Sequence, residues 1–244
     1  MGTPKRNVFL TDLHVPFNIN LSPVLKFIHD FQPHEVILGG DVHDWTAVAH
    51  WIADQSRNLN GQIIKNCYRQ MHRVVLDPIR EAAPNAKVIY LEGNHEYWLT
   101  KAIEICPNGA GFWELQNNIK LKKYNMEIVP INVPYKASPH LYYMHGVYTN
   151  DFHAKKTALS YQKSCLYGHT HDVQEYTIVS PLDATHVVKA RSVGCLCSRN
   201  PHYLRNKPNK WAHGFNYAYI DDHGYFNEYQ VHIVNGGFYA LNKK

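Results

Sequence analysis

Five times along the chain an apolar run stops at a residue of metal-binding type. Val8-Phe9-Leu10 leads to Asp12 and His14, Val36-Ile37-Leu38 to Asp41 and Asp44, and Val88 to Leu91 to Asn94 and His95. Leu141 to Met144 leads to His145, and Cys165-Leu166-Tyr167 to His169 and His171. Each run is β-branched or aromatic in bias and bounded by glycine or polar residues, the pattern of a buried strand. In an open α/β sheet, ligands gather beyond the carboxyl ends of the strands. Five such ends carrying carboxylate, imidazole and carboxamide groups therefore imply one shared site.

Helical spacing fills the gaps between the runs. Pro23 to Asp30 reads as a short helix with Ser22 as cap and Pro23 in its first turn. Trp45 to Ala53 and about Leu59 to Ala82 also read as helical, the second with Ile63, Ile64, Cys67, Met71, Val74, Val75 and Ile79 on one face and Pro84 as its stop. Trp98 to Ile105 continues as helix from an Asn94/His95 loop, and Phe152 to Lys163 is a further helix. Glu127 to Ile131 is a strand, Cys106 to Gly111 is irregular, and Phe112 to Lys123 is ambiguous. After Val173 the pattern turns to alternating strands, at 173–179, 186–192, 216–220, 225–233 and 238–241, so this half reads as largely antiparallel. Asp222-His223-Gly224 has the turn chemistry of a hairpin.

A chain of 244 residues with 45% hydrophobic content can bury a full core, and residues 1–244 read as one domain. The formal charge of +5 favours anionic partners without marking a DNA-coating protein. Cys67, Cys106, Cys165, Cys195 and Cys197 form an odd set without a CxxC pair, which indicates neither a disulfide framework nor a thiolate zinc site. With no apolar span of membrane length and no secretory leader, a cytoplasmic location and no membrane partner are expected. One segment departs from the average composition. Residues 198–213 contain Arg199, Arg205, Lys207, Lys210 and Trp211 and no acid. This basic aromatic loop reads either as a solvated connection or as a substrate grip.

Divalent cations suited to phosphate ester hydrolysis need a bridging carboxylate, neutral imidazoles and an open position for water and substrate. Asp12 and His14 sit two residues apart beyond a strand, and Asp41 follows Gly40, whose missing side chain permits close backbone approach. Asn94 offers a carboxamide, an uncommon ligand, and His169 and His171 repeat the two-residue spacing. His140 competes with His145 for the remaining position, and His145 is preferred because Gly146 follows it. Taken singly, Asp12/His14 reads as a turn pair and Gly93-Asn94-His95 reads equally as a turn or as a site, and their conjunction argues for the site. His43 and His153 are candidate substrate contacts, and Glu96 reads as a supporting or helix-start acid.

Together the blocks Asp12-x-His14, Gly40-Asp41-x-x-Asp44, Gly93-Asn94-His95-Glu96, His145 and Gly168-His169-x-His171 resemble, in order, the calcineurin-like metallophosphoesterases. That resemblance implies an α/β fold, the four-layer α/β/β/α sandwich with two mixed sheets. It implies two divalent metal ions, Mn²⁺ favoured, with Fe, Zn²⁺ or Ni²⁺ as alternatives. Asp12, His14, Asp41 and His171 would hold the first and Asp41, Asn94, His145 and His169 the second, with Asp41 bridging. His95 would be the catalytic acid at the leaving group and Asp44 its orienting partner. The implied chemistry is direct in-line attack on phosphorus by hydroxide activated between two ions about 3.5 to 4 Å apart.

Features after the last block, from His153-Ala154-Lys155-Lys156 to Trp211-Ala212-His213-Gly214-Phe215, resemble compact members found in bacteria and their phages, which places the expected setting in a host cytoplasm. Protein phosphatases of the family have Arg after the second acid of the Gly-Asp block, where this chain has Trp45. The leading expectation is a phosphodiesterase or nuclease acting on DNA, RNA or nucleotides, with His43, His153, Arg199, Arg205, Lys207 and Trp211 near the substrate. A phosphomonoesterase acting on a nucleotide, a nucleic-acid end or a phosphoprotein is the alternative. A non-catalytic scaffold of this fold is a remoter one.

Overall fold

Strict alternation of apolar side chains places each central strand between two separate cores. In β1 (Lys5–Leu10), β2 (Glu35–Leu38) and β3 (Lys87–Leu91), the residues Val8, Leu10, Val36, Leu38, Val88 and Tyr90 face a helical layer. Phe9, Ile37, Ile89 and Leu91 on the opposite face meet Leu141, Tyr143 and Leu166 of a second sheet. That sheet turns its other face, with Met144, Cys165, Tyr167, Val188 and Ala190, to a helix carrying Ala158. Three apolar layers between four structural ones give the α/β/β/α sandwich. The structure is a computed structural model and describes residues 2–48, 61–183, 185–201 and 204–240.

The helices on the first sheet are α1 (Ser22–Phe31), α2 (Gly61–Met71), α3 (Asp77–Ala82) and α4 (Asn94–Ile105), with a short α5 (Leu115–Asn118) after them. Ser22 is already inside α1, and the Asn20 carboxamide oxygen, 3.0 Å from the Ser22 N–H, supplies the satisfaction expected of a Ser22 cap. The long helix expected up to Ala82 changes winding midway. His72–Leu76 forms a π-turn in which the Asp77 N–H reaches His72 O, just before Pro78, which has no N–H to continue an ordinary ladder. Of the helix expected at Trp45 to Ala53, Trp45 has left-handed backbone, Thr46–Val48 is a 3₁₀ turn, and 49–53 lie outside the described residues. The start of the second helix at Leu59 lies outside them too.

The first sheet continues with β4 (Met126–Val129), and the second opens with β5 (Tyr135–Lys136), β6 (Leu141–Met144), α6 (His153–Tyr161) and β7 (Ser164–Tyr167). Then follow β8 (Val173–Val179), β9 (Val187–Val193), β10 (Gly214–Ile220) and β11 (Phe226–His232). Strand order is β11-β10-β1-β2-β3-β4 in one sheet and β5-β6-β7-β9-β8 in the other. The largely antiparallel second half expected from alternation is present, β8 pairing with β9 and β10 with β11 and β1 in antiparallel fashion, with one parallel pairing, of β9 with β7. Residues 238–240 are not a strand. Asp221 to Tyr225 closes the β10–β11 hairpin, with the Gly224 N–H on Asp221 O and Gly224 at φ +85°.

This topology positions the site. β1, β2 and β3 run parallel in one sheet, and β6, β7 and β9 run parallel in the other. Their carboxyl ends are tied across the sandwich, because His145 Nδ1 lies 2.8 Å from Gly39 O and the His169 N–H donates to Asp12 Oδ2 at 2.9 Å.

Candidate metal centre

Five strand ends meet where the two parallel sets face each other. Asp12 and His14 follow β1, Asp41 and Asp44 follow β2, His145 follows β6, and His169 and His171 follow β7. Asn94 follows β3 and is the first residue of α4, so the expected Asn94/His95 loop is the opening turn of a helix. The His95 N–H of that turn donates to Asp41 Oδ1 at 2.9 Å, so the positive end of the helix faces the central carboxylate. Asp12, His14, Asp41, His169 and His171 all adopt positive φ, from 48° to 71°. Left-handed backbone costs a non-glycine residue about 1–2 kcal/mol, and such strain collects where side chains must be aimed.

The backbone around these residues is as close as the sequence requires. A Cβ on Gly40 would stand 2.6 Å from His145 Nδ1 and 2.8 Å from Gly93 N, and one on Gly168 would stand 2.2 Å from Asp12 Oδ2. Either substitution would push the strand ends apart. Glu96 fixes the second loop from below, accepting the Asp41 N–H at 2.8 Å, the Val42 N–H at 3.0 Å and the Gly93 N–H at 2.9 Å. The Tyr90 hydroxyl donates to the same carboxylate at 2.8 Å.

What the side chains present to the centre is almost entirely lone pairs. His14 Nδ1 lies 3.0 Å from Asp44 Oδ1, and its Nε2 points inward, 3.2 Å from His171 Nε2, 3.7 Å from Asp41 Oδ2 and 3.9 Å from Asp12 Oδ1. With Nδ1 of His145 engaged on Gly39 O, its Nε2 faces Asn94 Oδ1 at 3.0 Å and Asp41 Oδ2 at 3.4 Å. Asp12 Oδ1 is buried, 3.1 Å from His171 Nε2, and accepts no hydrogen bond. Convergent acceptors in a buried pocket repel unless a proton or a cation lies among them. Among the described residues, those brought within ligand reach of one another fall into three groups: His14, Asp41 and His95; Asp41, His145 and His169; and His14, His171 and Cys197. This donor set, carboxylate, imidazole and carboxamide with one thiol, fits divalent cations.

Titration behaviour has the same cause. Burial resists charge on His145, but Asp41 beside it overcomes this and raises its pKa to about 10, so a proton is held where a cation would otherwise sit. Burial, together with the charge of His145, depresses His169 to about 4, which keeps that imidazole neutral. Asp12 resists burial through His171 and falls to about 2, and Asp41 drops well below the carboxylate range beside His145 and His95.

The structure revises several expected roles. Asp44 was expected to orient His95 with its carboxylate, but that carboxylate is 3.0 Å from His14 Nδ1 and 3.8 Å from His95 Nδ1. His95 Nδ1 instead lies 2.7 Å from the Asp44 main-chain oxygen, and its ring packs on Trp98 at 3.8 Å between centroids. His43 and His153, expected as substrate contacts, are buried at 2% and 3% exposure. His43 accepts the Trp45 N–H and pairs with Gln70, while His153 bonds Tyr167 and Asp172 and braces the loop below His171. His140 is away from the centre, stacked on Tyr225 at 4.7 Å. Arg199, Arg205 and Lys207 are exposed; Arg199 and Lys207 line a surface cavity of about 350 Å³ with Asn200, Asn206, Pro208 and Asn209. Trp211, alone of the residues expected from that loop, reaches the centre, its ring 4.2 Å from that of His171. Sequence reasoning missed Cys197, although it follows β9 in Gly194-Cys195-Leu196-Cys197, a strand end like the other five.

His43 gives a pH prediction for the metal-free protein. Burial lowers its folded pKa to about 4 against 6.5 when exposed, so its contribution to stability is complete above pH 6.5 and is lost as pH falls towards 4. The loss should approach about 3 kcal/mol. Urea unfolding between pH 7 and 4.5 in chelator should therefore show a flatter acid limb for His43→Gln than for the wild type; equal limbs would contradict the assignment.

No protein-family model matches the chain. The Gene 54 protein of Mycobacterium phage L5 is 25% identical over 250 residues, with 96% of each chain covered. The Gene 54 protein of Mycobacterium phage D29 is 27% identical over the same length and shares. Among solved structures, Vacuolar Protein Sorting 29 from Cryptosporidium parvum aligns with a TM-score of 0.50 at 10% identity, covering 98% of this chain and 96% of that one. This is a likeness of fold, the metallophosphoesterase-type sandwich. No described helix is long and apolar enough to cross a membrane.

Proposed function

We propose that the protein is a dinuclear metal-dependent phosphoesterase, and that its substrate is a phosphodiester of nucleic acid or a nucleotide. The observation that carries the first part is the convergence of Asp12 Oδ1, Asp41 Oδ2, Asn94 Oδ1 and the Nε2 atoms of His14, His145 and His171 on one pocket. On this reading Asp12, His14, Asp41 and His171 hold one ion and Asp41, Asn94, His145 and His169 the other. Bound there, two divalent ions, Mn²⁺ favoured, acidify water and neutralise phosphoryl oxygens.

The chain's own residues supply the rest. Asp41 spans both halves, held by the His95 N–H and by Glu96 beneath its backbone. Asp44 fixes the His14 tautomer so that Nε2 faces inward. With Nδ1 engaged on the Asp44 carbonyl, His95 presents Nε2, 3.8 Å from Asp41 Oδ2, and there it holds the proton that the departing oxygen takes. His95→Ala is expected to lower turnover by about 10²- to 10⁴-fold with bound metal unchanged. Kinetics paired with elemental analysis checks this, and loss of metal with activity would make His95 a ligand.

The preference for a diester rests on the charge of +5, the acid-free loop and Trp211 packed on His171, where a base has an aromatic surface to stack on. Trp45, where a protein phosphatase has Arg, is fully buried with Nε1 3.4 Å from Glu96, so position 45 offers no guanidinium to a phosphate. The test is cleavage of a diester reporter, single-stranded and duplex DNA, RNA, cyclic nucleotides and monoesters with Mn²⁺ at several salt concentrations. Activity confined to monoesters would replace the diester reading with a phosphomonoesterase, and inertness towards the whole panel would favour the scaffold.

A further inference from the structure

One side of the centre carries a softer donor than phosphoester chemistry requires. Cys197 is 2% exposed, and its Sγ lies 3.8 Å from His171 Nδ1. His14, His171 and Cys197 each place a ligand atom within 4.8 Å of the others. Asp12 Oδ1, buried and without a hydrogen bond, lies at the other nitrogen of the His171 ring, 3.1 Å from Nε2, whereas the sulfur meets Nδ1, so Asp12 stays outside this group. The thiol is placed by fixed backbone: Leu196 N–H donates to Asp12 O, Ser198 N–H to Phe17 O, and His213 Nε2 lies 2.9 Å from Cys197 O. Two imidazoles and a thiol make an N₂S set, which zinc-like cations accept with water in a fourth position. Oxygen-preferring Mn²⁺ has no use for the sulfur, whereas Zn²⁺, Cd²⁺ and Co²⁺ do.

We propose that Cys197, with His14 and His171, forms a thiolate-bearing site selective for thiophilic divalent cations on this side of the centre. Uptake exchanges the cation for the thiol proton, which passes to solvent, one proton released for each cation bound through sulfur. The inference rests on the donor set and is independent of which phosphoester, if any, is cleaved. A consequence is that metal identity is sensed at a single side chain. Cys195, whose thiol approaches the Cys197 carbonyl at 3.9 Å, belongs to none of the donor groups among the described residues and serves as control.

The full-length metal-free protein is titrated with Co²⁺ alone and with Cd²⁺ alone. Expected are a sulfur-to-metal charge-transfer band in the near ultraviolet, one proton released in weak buffer, and loss of the band in Cys197→Ser but not in Cys195→Ser. Cd²⁺ affinity should fall by at least about 10²-fold in Cys197→Ser while Mn²⁺ affinity and the circular dichroism spectrum are retained. Co²⁺ binding without the band, or a band that survives Cys197→Ser, overturns the thiolate site and leaves the phosphoesterase reading standing. Failure of every cation to bind would overturn both.

Discussion

On the proposed phosphoesterase reading, Asp41→Asn is expected to lower turnover by about 10⁴-fold. A pair of cations bound there would supply several kcal/mol of charge stabilisation, and each 1.36 kcal/mol is a factor of ten. Asp41 Oδ2 faces His145, His14 and His95 at 3.4, 3.7 and 3.8 Å, so this carboxylate oxygen addresses both halves of the centre. Asparagine keeps the oxygen that accepts the His95 N–H, at 2.9 Å, and should leave the fold intact. What it removes is the negative charge that holds the pKa of buried His145 up at about 10. In the metal-free variant the His145 titration should therefore move towards lower pH, an effect visible by NMR without any substrate. A variant that keeps both metal stoichiometry and turnover within tenfold of wild type would remove Asp41 from the bridging position.

The strands behind this site were legible because their signal is local. Phe9, Ile37 and Leu166 are bounded by turn residues within a few positions, and period-two alternation needs no knowledge of partners. The motifs at their ends were legible for the same reason. What escaped depends on contacts between distant segments. Whether Asp44 meets His14 or His95 is decided by the left-handed turns at His14 and Trp45, not by spacing. His43 and His153 read as substrate contacts in sequence, but Gln70, Tyr167 and Asp172, 14 to 27 positions away, turn them into structural hydrogen-bonding groups. Cys197 escaped because its strand, β9, joins the sheet beside β7 by a pairing that a run of alternating residues does not reveal. The break in the second helix lay at Pro78, a residue whose missing N–H was readable but was outvoted by the apolar spacing around it.

The second large effect falls on stability. Glu96→Ala should destabilise the folded protein by about 3–5 kcal/mol, the range for stripping a buried charged or multiply bonded group from its partners. In the native protein one carboxylate, 2% exposed, receives the N–H groups of Asp41, Val42 and Gly93 and the Tyr90 hydroxyl, with Trp45 Nε1 at 3.4 Å. Alanine leaves those donors facing a cavity, and unpaired buried donors cost about 1–3 kcal/mol each, partly recovered if water enters. For a chain of 244 residues, each kcal/mol lowers the midpoint by about 2–4 °C, so a fall of about 10 °C is expected. Glu96→Gln should lose less, since one oxygen remains for two N–H groups and the Tyr90 hydroxyl can turn to accept from the new amide. The same donors hold Asp41 and Gly93, so Glu96→Ala should also weaken Mn²⁺ binding by about 10- to 100-fold, the scale for residues that orient ligands. Thermal unfolding and metal titration of the two variants separate these effects. If Glu96→Ala melts within 2 °C of wild type by the same two-to-four-degree scale, Glu96 is not what holds the second and third strand ends together.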